Sequence, residues 1–298
     1  MTLTPTEARP LDHFVLQVSG LDAARARLSA LGFQVAANGY HPFGTANCCI
    51  FFADGTFLEP LAIADEAMAR AAAGTGNVFT RHALSFREEN GPEGFSAFVF
   101  GTNDAKADHA AFAEDSISAG EILDFARDFV AADGSRGRAA FRLAFALAAE
   151  APNCLFFSCE RVAVPEVDRT ALYQHPNGVT AMAGAIMVAP DPAALRERLA
   201  SLGWLAVDSE DGAVRFTGPS FALSIVTPRA FAALTGLPEP EDLGPAFRAA
   251  IFSCRDEQQL MQQLLLAGID FNFTPDGVIV PPADGQGTTF IFRSQQAV

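Results

Sequence analysis

The chain has 298 residues, half of them hydrophobic and 18% charged, with a formal net charge of −15. So acidic a surface repels a phosphate backbone, which argues against a nucleic-acid partner and for a soluble, self-repelling particle. No apolar run approaches the roughly 20 residues of a membrane span, and "MTLTPTEARPLDHF" lacks a basic segment followed by an apolar one, so a cytoplasmic protein with no membrane partner is expected.

In chain order, a unit recurs: a strand, a short amphipathic helix stopped by glycine, then strands joined by Asp-Gly turns. The first copy runs from "LDHFVLQV" into "LDAARARLSALGF", with Ala24, Leu28 and Leu31 on one helical stripe before Gly32. The second has the strand "FSAFVFGT" and a weaker helix, "DHAAFAEDSISAG", with Phe112 and Ala119 on the expected stripe. In the third, "AGAIMVAP" leads to a helix with Asp191 as N-cap, Pro192 at its first position, and Leu195, Leu199 and Leu202 before Gly203. The fourth has "FRAAIFSC", then Leu260, Leu264 and Ala267 before Gly268. Asp54-Gly55, Asp133-Gly134, Asp211-Gly212 and Asp276-Gly277 read as type I′ hairpin turns. The fold class is therefore α+β, with four βαβββ units. One unit cannot cover both faces of its own small sheet, so the units should pair into two curved sheets with helices outside and a concave cup inside. The polar stretch "RVAVPEVDRT" reads as the linker, giving domains at 1–165 and 166–298.

The period of two along the first strand puts Phe14, Leu16 and Val18 on one face and His13, Val15 and Gln17 on the other. In "DGTFLEPLAI" the same period leaves Glu59 among Phe57, Leu61 and Ile63, where a buried carboxylate needs a partner. If the last strand of the unit returns beside the first, His13 and Glu59 meet inside the cup. Three readings of that meeting are open: two ligands of a divalent metal, a general acid/base pair, or a structural hydrogen-bonded pair. His41, Thr45 and Asn47, in "GYHPFGTAN", sit where strand ends form a cup's mouth and are candidates, with Gln17, for contacts to a ligand. His109 reads as solvated, and His82 as satisfied or exposed. The 27 phenylalanines, many alternating along strands, point to an apolar or aromatic small-molecule partner. No GxGxxG after a strand, GxxxxGK[ST] or GxSxG occurs, so dinucleotide, P-loop and serine-hydrolase readings drop out. The five cysteines have neither CxxC nor zinc-finger spacing and read as reduced core residues.

Strand-borne His and Glu in paired βαβββ units resemble the vicinal oxygen chelate superfamily, which includes glyoxalase I, extradiol dioxygenases and the bleomycin and fosfomycin resistance proteins. More narrowly, the stretch from Leu11 to Ile63 and "HPNGV" at His175 to Val179 resemble bacterial glyoxalase-like domain proteins, over residues 11–190. The resemblance implies an enzyme of lyase, isomerase or dioxygenase type acting on a small oxygenated molecule, as monomer or homodimer. It also implies a divalent metal (Zn, Mn, Fe or Ni) held by His13 and Glu59, with His175 as a third ligand. The alternative within the superfamily is a metal-free binding protein of the bleomycin-resistance type. The chain departs from the pattern in its second unit, where Ala97 and Phe157 stand at the places corresponding to His13 and Glu59, and in "GTAN", where related sequences carry a histidine in place of Ala46. The strands of the third and fourth units carry no histidine or carboxylate, so no metal is expected in the second domain.

Overall fold

The computed structural model describes residues 9–130, 136–165, 167–202, 205–208, 212–241 and 244–294. The first unit comprises β1 (Leu11–Gln17), α1 (Leu21–Ala30), β2 (Gly39–Tyr40), β3 (Thr45–Asn47), β4 (Ile50–Phe51) and β5 (Phe57–Ile63). Two helices, α2 (Glu66–Gly74) and α3 (Val78–Asn90), intervene before the second unit of β6 (Gly94–Thr102), α4 (Ala105–Glu114), β7 (Leu123–Val130), β8 (Arg136–Leu147) and β9 (Leu155–Ala163). The third contains β10 (Val179–Val188), α5 (Arg196–Ala200), β11 (Leu205–Asp208), β12 (Val214–Thr217) and β13 (Ala222–Val226), followed by α6 (Pro228–Thr235). The fourth contains β14 (Ala246–Cys254), α7 (Glu257–Leu266), β15 (Asn272–Thr274), β16 (Gly277–Val280) and β17 (Thr289–Ser294).

Each pair of units forms one sheet. In the first the strand order is β2-β3-β5-β1-β6-β9-β8-β7 with β4 on β5, and in the second β11-β12-β13-β10-β14-β17-β16-β15. Within a unit the last strand returns parallel to the first, as β5 does beside β1 with Val15 opposite Glu59. Between units the two first strands pair antiparallel, so Val15 faces Ala97 and His13 faces Val99 across β1 and β6. This alternation sends Phe14, Leu16, Phe98 and Phe156 to the convex face. There they merge with Phe247, Phe252 and Phe290 of the second sheet and with α1, α4 and α7 in one continuous core. The stacked pair Phe95–Phe247, 4.5 Å between centroids, crosses from one sheet to the other. The concave faces carry separate apolar clusters, one around Val15, Phe79 and Phe157 and one around Ile186, Phe231 and Ile291.

Local expectations fare unevenly. Asp191 caps its helix by accepting from the amides of Ala193 and Ala194, although that helix opens as a 3₁₀ turn. The second unit's helix ends at Glu114, and Ala119 instead bonds to Phe145 alongside β8. Asp54-Gly55 is not a type I′ turn. Phe52 and Thr56 close a three-residue loop, with Gly55 at φ 89 supplying the left-handed position. Between β15 and β16 the turn residues are Pro275 and Asp276, and Gly277 already belongs to the ladder. Asp133-Gly134, Gly203 and Asp211 lie outside the described residues. Arg161, read as linker, is a residue of β9. His109 is half-buried rather than solvated. All five cysteines are buried and unpaired, and no helix among the described residues is long and apolar enough to cross a membrane.

Candidate active site

The parallel return of β5 brings Glu59 to His13: the imidazole Nε2 lies 3.4 Å from the carboxylate Oε2. Both side chains are buried. On its other side His13 donates through Nδ1 to Asp12 Oδ1 at 2.6 Å. An ideal strand would send neighbours Asp12 and His13 to opposite faces, but the β1–β6 ladder is irregular between Leu11 and His13, and such a bulge re-aims side chains. The second oxygen of Asp12 pairs with Arg161 at 2.8 Å, so the row runs Arg161, Asp12, His13, Glu59. The His13 ring also stacks on Phe57, with centroids 4.2 Å apart.

Burial alone would lower the His13 pKa, but the hydrogen bonds and charges of Asp12 and Glu59 outweigh it and raise it above its ordinary value. For Glu59, burial favours the neutral acid; His13, the nearby His41 and the Asn47 amide reverse this and bring it down to about 2. Both shifts favour the imidazolium–carboxylate form of the pair. Glu59 Oε1 accepts from Asn47 Nδ2 at 2.6 Å and lies 3.8 Å from His41 Nε2. His41 bonds Thr45 Oγ1 at 2.8 Å and stacks on Phe43, and burial holds its pKa down to about 4, so this second histidine is neutral.

The site is tight. His13, Glu59, His41 and Asn47 share their cavity with Phe43, Phe57, Phe79, Phe125, Phe141, Leu143, Phe157, Cys159 and Arg127, and it encloses about 50 Å³. The reason is α3, which lies across the concave face with Val78, Phe79 and Ala83 buried against Leu61 and Phe157. Asn47, His41, His13 and Glu59 thus line one cavity. Thr45 is one step back, bonded to His41 and not lining the cavity. Gln17 does not reach it either. It donates to Ser96 and accepts from Arg87, whose guanidinium also bonds the carbonyls of Val18 and Leu61, so Gln17 helps to pin α3 over the cup.

His175 does not line the cavity with the His13–Glu59 pair. Its Nδ1 accepts from the amide of Gln34 at 3.0 Å and its Nε2 faces the carbonyl of Phe51 at 3.1 Å, among Phe33 and Phe52. With Asn177, which bonds the carbonyl of Leu31 and the backbone at Gly32, it staples the "HPNG" turn to the outer side of the first unit. The remaining donors decide the fit of a metal. Ligands at about 2.1 Å from one tetrahedral ion stand roughly 3.4 Å apart, a separation that His13 Nε2 and Glu59 Oε2 match. No third donor joins them: among the described residues no group of three or more His, Cys, Asp or Glu is placed to hold an ion. The donor set therefore does not fit the three-ligand centre that the resemblance implies.

Arg127 and Asp12 were not singled out in the sequence. Arg127 belongs to β7, four strands away from β1, and nothing local distinguishes it from the arginines of β8. For Asp12 the adjacent His13 was the available signal, hidden by the alternation rule that the bulge breaks.

A curved sheet of paired βαβββ units is the fold that the vicinal oxygen chelate resemblance implies. The profile of the glyoxalase-like domain matches residues 11–203, and the chain belongs to that family. Several solved structures share the fold. A triple mutant of 4-hydroxymandelate synthase from Streptomyces coelicolor superposes with a TM-score of 0.62 at 10% identity, over 98% of this chain and 94% of that one. The Mn(II)-bound glyoxalase from Novosphingobium aromaticivorans gives 0.57 at 10% identity, covering 98% and 83%. Homoprotocatechuate 2,3-dioxygenase from Arthrobacter globiformis gives 0.57 at 12%, covering 97% and 80%. No curated protein matches the sequence.

Proposed function

We propose that this chain is a glyoxalase-like enzyme that moves a proton on a small oxygenated molecule in the first cup, with His13 and Glu59 as the reacting pair. The observation that carries this reading is the His13–Glu59 pair, buried among phenylalanines and oriented from behind by Asp12. In such surroundings an imidazolium N–H is a strong donor to a substrate carbonyl, and developing negative charge on that oxygen would be stabilised where water is excluded. Glu59 is a weak base while His13 bonds it. A substrate oxygen that takes the His13 proton donor for itself returns the carboxylate toward its ordinary basicity, which suits it to accept a proton from the carbon beside the carbonyl. Asn47 keeps its other oxygen in place.

The test is exchange of carbon-bound protons of small carbonyl compounds in D₂O, followed by NMR. The wild type should catalyse exchange, and Glu59→Gln and His13→Gln should each lose about 10²–10⁴-fold. Binding of these compounds without exchange would assign the cup to a binding protein of the resistance type. The 3.4 Å spacing of the two donors favours one second reading, that an ion bridges them with ligand or water completing its shell. Elemental analysis of untagged protein, before and after incubation with Zn, Mn, Fe(II) and Ni, separates it: a full equivalent lost in His13→Gln would replace the proton-transfer pair by a metal site.

A further inference from the structure

The cup holds a cation without a partner. His13 and Glu59 face each other, and Arg161 pairs with Asp12. His41 is neutral, and burial keeps the Cys159 thiol protonated. Arg127 lines the same cavity, and no hydrogen bond or ion pair to it is present among the described residues. A guanidinium is always charged and presents up to five donors, so on this half-buried side chain the donors at the cavity are open to an anion.

The wall is shaped around this side chain. A Cβ at Gly39 would collide with Arg127 Nη1 and would stand 2.7 Å from Asn47 Oδ1, so a side chain on β2 here would push the guanidinium off the strand. The backbone there is ordinary, with no positive φ, and the requirement is one of space. The size of the cavity sets the other bound. Its volume of about 50 Å³ is a third of the roughly 150 Å³ that accepts benzene in a dry protein cavity.

From the unpaired guanidinium and the volume, we infer that the first cup takes a short-chain monocarboxylate whose carboxylate pairs with Arg127 while its remaining atoms reach the His13–Glu59 pair. The inference rests on reading this cup as the reaction site and adds the class of substrate. A planar fork matches a carboxylate with two parallel N–H donors, which a neutral amide of the same shape cannot reproduce.

Calorimetric titration of the full chain with pyruvate, propionate and their amides tests it. The wild type should bind each carboxylate at least about tenfold more tightly than its amide, as a charge-assisted hydrogen bond provides. Arg127→Met should erase that preference. Gly39→Ala should weaken it without removing any charge, and the His13 ring resonances report in both variants whether the pair is still folded in place. Failure of pyruvate and propionate to bind, amides binding as well as acids, or an Arg127→Met variant with unchanged preference would each overturn the inference. Benzoate binding as tightly as pyruvate would overturn the size limit. Arg127-dependent carboxylate binding without proton exchange would keep the ligand class and sink the reaction, whereas exchange indifferent to Arg127 would do the reverse.

Discussion

The two concave faces are built alike and carry opposite chemistry. Val18 and Ala189 make the same backbone bond to the last strand of their units, to Leu61 and Val226 respectively, and this fixes the correspondence. Gly184 occupies the place of His13, and Ser224, opposite Ile186, the place of Glu59. Both cups are roofed by an inserted helix, α3 in one and α6 with Phe231 in the other. In the second the strands contribute Ile186, Val188, Ile251, Ile279 and Ile291, and the cup is simply core. The first sheet makes the same choice in half of its own cup: Ala97 and Phe157 stand where a second His and carboxylate would, and the Phe157 ring packs edge-on to His13 at 5.7 Å. A duplicated fold thus supplies four equivalent positions, and only one of them carries a histidine and a carboxylate.

Exchanging residues between the cups is the sharpest way to break the comparison. Glu59→Ser, the second cup's residue in the first, should abolish proton exchange and cost about 3 kcal/mol in urea unfolding, because it leaves a buried imidazolium facing no carboxylate on that side. The double variant His13→Ala with Glu59→Ser should recover part of that stability, since removing both partners leaves no orphaned charge; a double cycle that sums additively would contradict the coupling. The reverse graft, Gly184→His, should fail for lack of space. A Cβ there runs into the carbonyl of Ala222, and we expect about 3 kcal/mol of destabilisation and no gain of site chemistry.

The pH dependence distinguishes the cups without mutation. His41 is neutral in the folded protein down to about 4, while the unfolded chain protonates its histidine at 6.5. Stability should therefore fall as pH drops from 6.5 to about 4, by on the order of 3 kcal/mol from this residue, and His41→Gln should flatten that limb in pH-resolved thermal melts. Burial lowers His82 and His175 as well, in the same direction. Glu59 acts lower: its stabilisation is complete above 4.5 and is lost toward about 2. His13 has the opposite sign, stabilising fully below 6.5 and losing this as pH rises through its raised folded value.

The smallest expected effect belongs to His175→Ala. It removes two backbone partners and the contact with Phe33 and Phe52, so a loss of about 2 kcal/mol should appear in melting, with ligand binding in the first cup unchanged. Loss of binding in that variant would return His175 to the site.

By itself the sequence determined the repeat and the faces. A period of two is a local property of a pleated chain, so His13 and Glu59 could be put on the concave side, and Ala97 and Phe157 opposite them, from spacing alone. The glycine-stopped stripes at Leu28, Leu199 and Leu264 were legible for the same reason. Only the tertiary structure decided what closes the cup and what charges it. Arg127 arrives from the far end of an eight-strand order, α3 turns an open groove into a small cavity, a bulge swings Asp12 onto His13, and His175 is claimed by Gln34 and Phe51 before it can approach the site. Each of these depends on how far the sheet curls and which strands meet, and side-chain alternation fixes a face without fixing a distance.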